Sequence, residues 1–301
     1  MATSSIVATE STGGTARGGG PATGSPRRRG RLWPRQLLIT IALLVMIYPL
    51  IWMVRLSFLP ESAIAGSGLL PSGTWTTENY TEGWNALSID FTTFFLNSAI
   101  VAGLALVGNL LACSLSAYVL ARLKFAMRPV YFGVVIATLL IPIHVLLIPQ
   151  YLLFSYVGAL NTFIPLVLPK FLATDAFFVF LMIQFVRGIP RELDQAAFVD
   201  GAGYFRIYWS IILPLMRPAL ATTAIFTVIW TWNDFLGPLI YLTRTDLYTV
   251  PVALNALLST DTGFGTGRLL AMSVLSLLPL VIFFFVAQKQ ILEGISSSGI
   301  K

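Results

Sequence analysis

Charge is scarce in this chain of 301 residues. Only 11% of the residues are Asp, Glu, Lys or Arg, whereas 56% are hydrophobic. A soluble domain carries about 25% charged residues, so this chain lacks the polar surface that a water-soluble enzyme of its size needs. The composition therefore predicts an integral membrane protein with several spans.

Cysteine and histidine are almost missing as well. Cys113 has no second cysteine with which to form a disulfide or a thiolate metal site. His144 stands alone, which excludes a two-histidine zinc motif, and no lysine follows a glycine as a phosphate-binding loop requires. We therefore expect no catalytic residue, no metal site and no cofactor bound by this chain, although an enzyme that uses carboxylates stays open.

Where charged residues, cysteine and histidine are scarce, the sequence contains long apolar runs. A helix needs about 20 apolar residues to cross a bilayer, and continuous runs of this kind exclude a strand barrel. The fourth run is interrupted by Lys170 and Asp175, so it predicts either a full span or a shorter helix, 172–186, after a re-entrant segment. The pattern predicts an all-α integral membrane protein with six spans: 37–59, 94–121, 130–151, 163–186, 218–241 and 269–288.

The two ends of the chain differ from its apolar middle. Residues 1–31 are rich in Gly, Ser, Thr and Arg and cannot bury much apolar area, which predicts a disordered basic tail. We expect one transmembrane domain over 32–295, with a cytoplasmic loop at 187–214, and a short C-terminal tail over 296–301.

The basic residues indicate the orientation. All but four of the 19 Lys and Arg residues lie in the first 35 residues, in 122–129, in 187–217 or near the C-terminus, and 56–93 has none. Because Lys and Arg accumulate on the cytoplasmic side, both termini are predicted to be cytoplasmic. The net charge of +6 thus reflects topology, and the expected partner surface is the bilayer rather than nucleic acid.

The stretch after Pro190 predicts a short helix on the cytoplasmic side. Proline suits the first turn of a helix, acids such as Glu192 and Asp194 favour its N-terminus, and Gly201 suits its end. A helix lying on lipid headgroups would favour a Lys/Arg face, whereas this one offers alanines that let another surface approach. Its spacing places four residues on one face: Leu193, Ala196, Ala197 and Asp200.

This stretch resembles the cytoplasmic loop of ATP-binding-cassette (ABC) importer permeases, whose pattern is E-A-A, a glycine four residues later, and I-x-L-P. Gln195-Ala196-Ala197, Gly201 and Ile211-Ile212-Leu213-Pro214 match it, with Gln195 where the family usually has Glu. In that family the loop is a coupling helix seated in a groove of the ATPase subunit. The resemblance implies an ATPase-coupling role for seven residues: Glu192, Leu193, Gln195, Ala196, Ala197, Asp200 and Gly201.

Other motifs resemble the carbohydrate importer permeases of the maltose-permease G type. They cover roughly residues 35–295 and include Asn97-Ser98, 117–122, 148–151, 158–162 and 232–240. The resemblance implies a type I importer permease fold and a sugar or oligosaccharide as cargo. It also implies a second permease subunit, an ATPase dimer that binds ATP and Mg²⁺, and an extracytoplasmic solute-binding protein as partners.

Two alternatives remain at this point. The same type of importer could carry a polyol or glycerol phosphate, or the chain could be a secondary transporter that uses intramembrane ionisable groups. Polar groups at membrane depth are candidates for a transport pathway, and on this ground we select Asn97, Asn233 and Asp234. Helix caps and hydrogen bonds between helices are the competing interpretation.

Overall fold

The computed structural model describes residues 33–64, 66, 68, 73–259 and 265–298, with side chains described up to 258 and from 265 to 288. The predicted N-terminal tail and the last three residues of the chain lie outside the described residues. All regular structure in the described part is helical, as predicted.

The helices follow one another with short connections. In the first half they are α1 Trp33–Ser57, α2 Glu61–Ile64, α3 Glu78–Trp84, α4 Phe91–Arg122, α5 Arg128–Leu139, α6 Ile143–Tyr156, α7 Ile164–Phe171 and α8 Ala176–Gly188. In the second half they are α9 Glu192–Val199, α10 Tyr204–Ile207 with a π-turn at Tyr208–Ile212, α11 Leu213–Leu215, α12 Arg217–Trp232, α13 Leu236–Tyr241, a 3₁₀ turn at Thr245–Leu247, α14 Val250–Ser259 and α15 Thr266–Ser298.

Four helical segments of the described chain are each long and apolar enough to cross a membrane. They are α1, α4, the 25-residue stretch Ile164–Gly188 and the first 23 residues of α15, Thr266–Gln288. Two further spans arise if each bent pair counts as one, namely α5 with α6 and Tyr204–Leu215 with α12. Together they make up to six spans, in agreement with the predicted number.

The third and fifth predicted segments are not straight. Segment 130–151 breaks at 140–142, where α5 and α6 meet at 107°, because Pro142 disfavours helical backbone at the residue before it. Segment 218–241 ends as a helix at Trp232, and α13 follows separately. The fourth segment holds α7 and α8 around a short break and is long and apolar enough to cross a membrane as one 25-residue stretch, Ile164–Gly188, which favours the full span over the shorter helix 172–186.

The described chain divides into two units. The described residues 33–48 belong to one unit, and their side chains, on the first part of α1, are exposed. The described residues from Pro49 onward belong to the second unit, in which α4 packs against α7, α8 and α12. Gly108 makes the approach to α7 possible, since a Cβ there would lie 2.7 Å from the ring of Phe171.

A core of buried side chains lies at one end of α4. Tyr118 and Ala121 of α4 pack there with Met182 and Val186 of α8 and with Ile207 of α10. This core joins the end of α4 to the segment after α8. The fold therefore places the predicted loop 187–214 directly beside the last turns of α4.

Candidate functional site

Helix α9 begins and ends where the sequence predicts. Glu192 and Asp194 lie in its first turn, where acids complement the helix dipole. Gly201 follows with φ of +80°, and the N–H of Gly201 donates to Phe198 O at 3.0 Å while the N–H of Ala202 donates to Ala197 O at 2.9 Å. Such bonds satisfy the last carbonyls of a helix around a left-handed glycine. The predicted short helix and its glycine turn are confirmed.

Arg122, the last residue of α4, fixes α9 in place. Its Nη2 donates to Ile189 O at 2.7 Å, and its Nε lies 3.1 Å from Oδ2 of Asp194. The two side chains are only 4% and 15% exposed. A buried pair of this kind leaves an uncompensated charge when one partner is removed. The position of α9 therefore depends on a residue far away in the sequence.

The predicted face of α9 is exposed at three of its four residues, and Ala197 is the exception. Ala197 is 7% exposed and packs into the core that holds Tyr118 and Met182. The exposed residues at helical spacing are Glu192, Gln195, Ala196 and Val199, which we call the outer face of α9. Of the seven predicted coupling residues, six are exposed and only Ala197 is turned toward the chain's own interior.

Sequence reasoning did not select Val199, which is 89% exposed, or Phe198, which is 43% exposed. Both are apolar, and Val199 stands three residues after Ala196 on the outer face. A register one residue earlier, i, i+3, i+4 and i+7 from Glu192, would have found Val199. The signal was present, but two neighbouring registers fit residues 192–200.

The turn after α9 is also bound to α4. The Tyr118 hydroxyl donates to Tyr204 O at 3.0 Å, and Ser114 Oγ lies 2.8 Å from the Tyr208 hydroxyl. With Arg122, these contacts attach the segment 189–208 to three successive turns of α4. Side-chain contacts therefore bind the segment that contains α9 to α4.

The predicted pathway residue Asn97 binds backbone. It is 8% exposed, and its Nδ2 donates to the carbonyls of Asp246 and Tyr248 at 2.9 and 3.0 Å. Beside it, Ser98 Oγ accepts the N–H of Val250 at 2.9 Å. These bonds hold the segment 246–250 against α4. The hydrogen bond from Arg244 lowers the pKa of the Asp246 carboxyl, so this exposed end of the segment carries an ion pair.

Asn233 and Asp234 lie at the junction of α12 and α13. Asn233 Nδ2 donates to Ile229 O at 2.8 Å, and Asp234 Oδ1 accepts the N–H of Gly237 at 3.1 Å. The first bond satisfies a carbonyl at the end of α12, and the second an N–H at the start of α13. The role of these two residues and of Asn97 in the transport pathway stays a prediction.

The variant Asn97→Ala distinguishes a structural role of Asn97 from contact with the transported solute. We expect the variant to lower the thermal unfolding temperature of the purified protein, because two partly buried carbonyls lose a hydrogen-bond donor, and a bond of this kind contributes about 0.5–1.5 kcal/mol. Asn233→Ala, at an exposed position, serves as the comparison. An unchanged unfolding temperature with an altered KM for uptake in Asn97→Ala would favour contact with the solute.

A polar cluster joins three helical segments inside the membrane domain. Lys170 Nζ lies 2.9 Å from Oδ2 of Asp175, so the two charges that interrupt the fourth predicted span form an ion pair across the break between α7 and α8. Asn109 of α4 donates to Asp175 Oδ2 at 2.6 Å and to Thr227 Oγ1 of α12 at 3.1 Å. The pair is thus bound to both neighbouring helices. Within the described residues, no group of three His, Cys, Asp or Glu side chains could hold a metal ion.

Comparison with known proteins identifies the family. Residues 106–294, which include α9 and its attachment to α4, match the model of the binding-protein-dependent transport system inner membrane component. The chain belongs to this family. It is 33% identical over 260 residues to the arabinooligosaccharides transport system permease protein AraQ of Halalkalibacterium halodurans, covering 85% of this chain and 92% of that protein.

A second relative and a solved structure extend the similarity. The chain is 32% identical over 286 residues to the trehalose/maltose transport system permease protein MalG of Thermococcus litoralis, covering 91% of this chain and 99% of that protein. The structure is that of a bacterial ABC transporter involved in the import of the acidic polysaccharide alginate. It matches with a TM-score of 0.78 at 24% identity, over 88% of this chain and 98% of that one, and so shows the fold.

These similarities settle the class of protein. The chain is a permease subunit of an ABC importer, with the type I importer permease fold, and an inner membrane component of that importer. It is a transport subunit rather than an enzyme, and ATP hydrolysis belongs to a separate subunit. The alternatives of a secondary transporter and of a membrane enzyme are therefore wrong.

Proposed function

We propose that this permease subunit forms half of the translocation pathway for a sugar or an oligosaccharide. The support is that AraQ and MalG are named for arabinooligosaccharides and for trehalose and maltose, and that each aligns along most of this chain. A second permease subunit would complete the pathway. An extracytoplasmic solute-binding protein would deliver the sugar to it.

The loop 187–214 is the proposed contact with the ATPase dimer. The observation that carries this proposal is the two-sided construction of α9: Arg122 and the core hold one side through Asp194 and Ala197, while the outer face is exposed. Because α9 is bound to α4 on one side and exposed on the other, a force on its outer face would move α9 and α4 together. On this proposal the loop and both termini are cytoplasmic, and the six-span domain covers 32–295.

Movement would pass from the ATPase to the spans through α4. Closure of the ATPase around ATP and Mg²⁺ displaces α9, and Arg122, Tyr118 and Ser114 carry that displacement into α4. Because α4 packs against α7, α8 and α12, these helices shift together. The cycle is directional only if ATP and the loaded binding protein favour different conformations of the permease.

Uptake in a deletion strain tests the cargo. We expect a strain without this permease to lose uptake of radiolabelled oligosaccharide, with maltose, arabinooligosaccharide and diacetylchitobiose as probes, and to regain it when the gene is returned on a plasmid. Glycerol 3-phosphate and a polyol such as sorbitol are the comparison solutes. Restored uptake of either comparison solute without any sugar would contradict the proposal.

A further inference from the structure

Three aromatic side chains share one open surface across α8 and α12. The rings of Phe226 and Phe177 lie 5.5 and 5.8 Å from the ring of Trp230, and the three residues are 40%, 45% and 51% exposed respectively. Behind them, the buried ring of Phe178 stacks on that of Trp230 at 5.2 Å. The core therefore supports the indole from one side and leaves about half of it open. We call Phe177, Phe226 and Trp230 the aromatic platform.

The aromatic platform lies at membrane depth on a fixed support. Phe177 is near the middle of the span Ile164–Gly188. Asn109 of α4 donates both to Asp175, two residues before Phe177, and to Thr227 of α12. These bonds join α8 and α12 to the same turn of α4, so the aromatic platform is formed before any ligand arrives.

Two exposed amides flank the aromatic platform on the same two helices. Gln184 follows Phe177 by seven residues, which places both on one face of α8, about 10 Å apart along the axis. Asn233 follows Trp230 by three residues, directly after α12. Within the described residues the Gln184 side chain makes no hydrogen bond, and that of Asn233 makes one, from Nδ2 to Ile229 O. Both amides therefore have bonding capacity left for a ligand.

Lipid is a poor match for this surface. Hydrocarbon offers no partner to an exposed amide, and polar side chains within spans almost always face the interior of a bundle or a water-filled cavity. The ion pair beside the aromatic platform points to the same conclusion, because Lys170 and Asp175 remain 25% and 20% exposed. The space in front of the aromatic platform is therefore aqueous.

We propose that the aromatic platform, Gln184 and Asn233 bind a sugar ring of the transported solute as it crosses the membrane. This inference rests on the proposed function. A pyranose ring has a face of C–H groups, which packs against the electron-rich face of an aromatic ring. It also has a rim of hydroxyls, which an amide can bind as donor and as acceptor. A phosphate-bearing solute would find Lys170 already paired with Asp175, so the surface favours a neutral sugar.

Uptake into vesicles that contain the assembled importer tests the aromatic platform. We expect Phe177→Ala to reduce uptake of the transported sugar several-fold, with maltose, arabinooligosaccharide and diacetylchitobiose as probes, while ATP hydrolysis stimulated by the loaded binding protein is retained. Phe177→Tyr keeps the ring and should restore uptake. Phe284→Ala is the matched control, because Phe284 on α15 is 46% exposed, and it should leave both activities unchanged.

Thiol labelling tests whether the surface is open to water and whether sugar covers it. The one native cysteine, Cys113, is fully buried, so an introduced exposed cysteine can be followed. In nanodiscs, where a membrane-impermeant maleimide reaches both sides, Gln184→Cys should react several-fold faster than Ile282→Cys, at a position 62% exposed on α15. The transported sugar, supplied with binding protein and ATP, should slow the reaction at 184, and glycerol 3-phosphate at the same concentration should not.

Three results would overturn the proposal. Equally slow labelling at 184 and 282 would mean that lipid or another protein covers the surface. Rapid labelling at 184 that no sugar slows would mean an aqueous wall without a binding site. Wild-type uptake by Phe177→Ala would mean that the aromatic platform does not contact the solute. If the unmodified importer takes up none of the three sugars, the proposed function fails instead.

Discussion

Ala197→Arg is expected to deplete folded permease from the membrane, whereas Ala196→Arg is expected to preserve the fold and abolish uptake. The two alanines are adjacent, but Ala197 is buried in the core beside Tyr118 and Met182, and Ala196 lies on the outer face of α9. An arginine at 197 would bury an unpaired guanidinium, which destabilises by several kcal/mol. An arginine at 196 would project toward the proposed ATPase contact.

Three measurements distinguish the two variants. Immunoblotting of membranes reports the amount of permease, thermal unfolding of the purified complex reports stability, and vesicles report uptake and ATP hydrolysis together. We expect Ala196→Arg to retain ATP hydrolysis without uptake. Wild-type uptake in Ala196→Arg would contradict the proposed docking surface. Normal amounts of stable Ala197→Arg protein would contradict its placement in the core.

Asp194→Asn is expected to destabilise the loop 187–214 and to reduce uptake strongly. The substitution keeps the size of the side chain but leaves Arg122, 4% exposed, without its counter-charge. Removing one partner of a buried ion pair typically costs about 3–5 kcal/mol. Because Arg122 joins α9 to α4, the loss should also weaken the transfer of movement between them. Thermal unfolding and vesicle uptake measure the two effects separately.

Asp200→Asn is the matched control for stability. Asp200 follows α9 directly and is exposed, and no ion pair involves it in the described part of the chain. The Asp200→Asn variant should have the same unfolding temperature as the wild type, even if it changes coupling to the ATPase. The exchanged pair Arg122→Asp with Asp194→Arg should regain part of the lost stability, but not the bond from Arg122 to Ile189 O. If Asp194→Asn is as stable as the wild type, the buried pair does not anchor α9.

The sequence predicted features whose signals are local. Apolar length predicted the spans, and acids at the start of α9 with Gly201 after its end predicted that helix, because caps and dipoles act over a few residues. The side of α9 that faces outward could not be obtained in this way. It is decided by Arg122, which reaches Asp194 from another helix, and of the two alanines that the spacing placed on one face only Ala196 is exposed.

For polar residues in the spans, the sequence likewise could not predict which groups their side chains bind. An amide such as Asn97 can bind a carbonyl or a solute equally well, and only the approach of the segment 246–250 shows that two carbonyls occupy it. Segment 130–151 was predicted as one continuous span, so neither the break before Pro142 nor its angle was predicted. The family resemblance, which rests on the loop motif, predicted the importer function and the partner subunits. No physical pattern in this sequence could predict them, because the other subunits are separate chains.

The ion pair between Lys170 and Asp175, at the break of the fourth span, also affects the insertion of the chain into the membrane. A lone Lys or Asp at the centre of an inserting helix costs about 3 kcal/mol, yet Lys170 and Asp175 become partners once the break forms. Asn109, which completes the binding of Asp175, belongs to a helix synthesised earlier. We therefore expect the amide donor of Asn109 to be in the membrane before the two charges enter the translocon, so that the order of the helices along the chain assists their insertion.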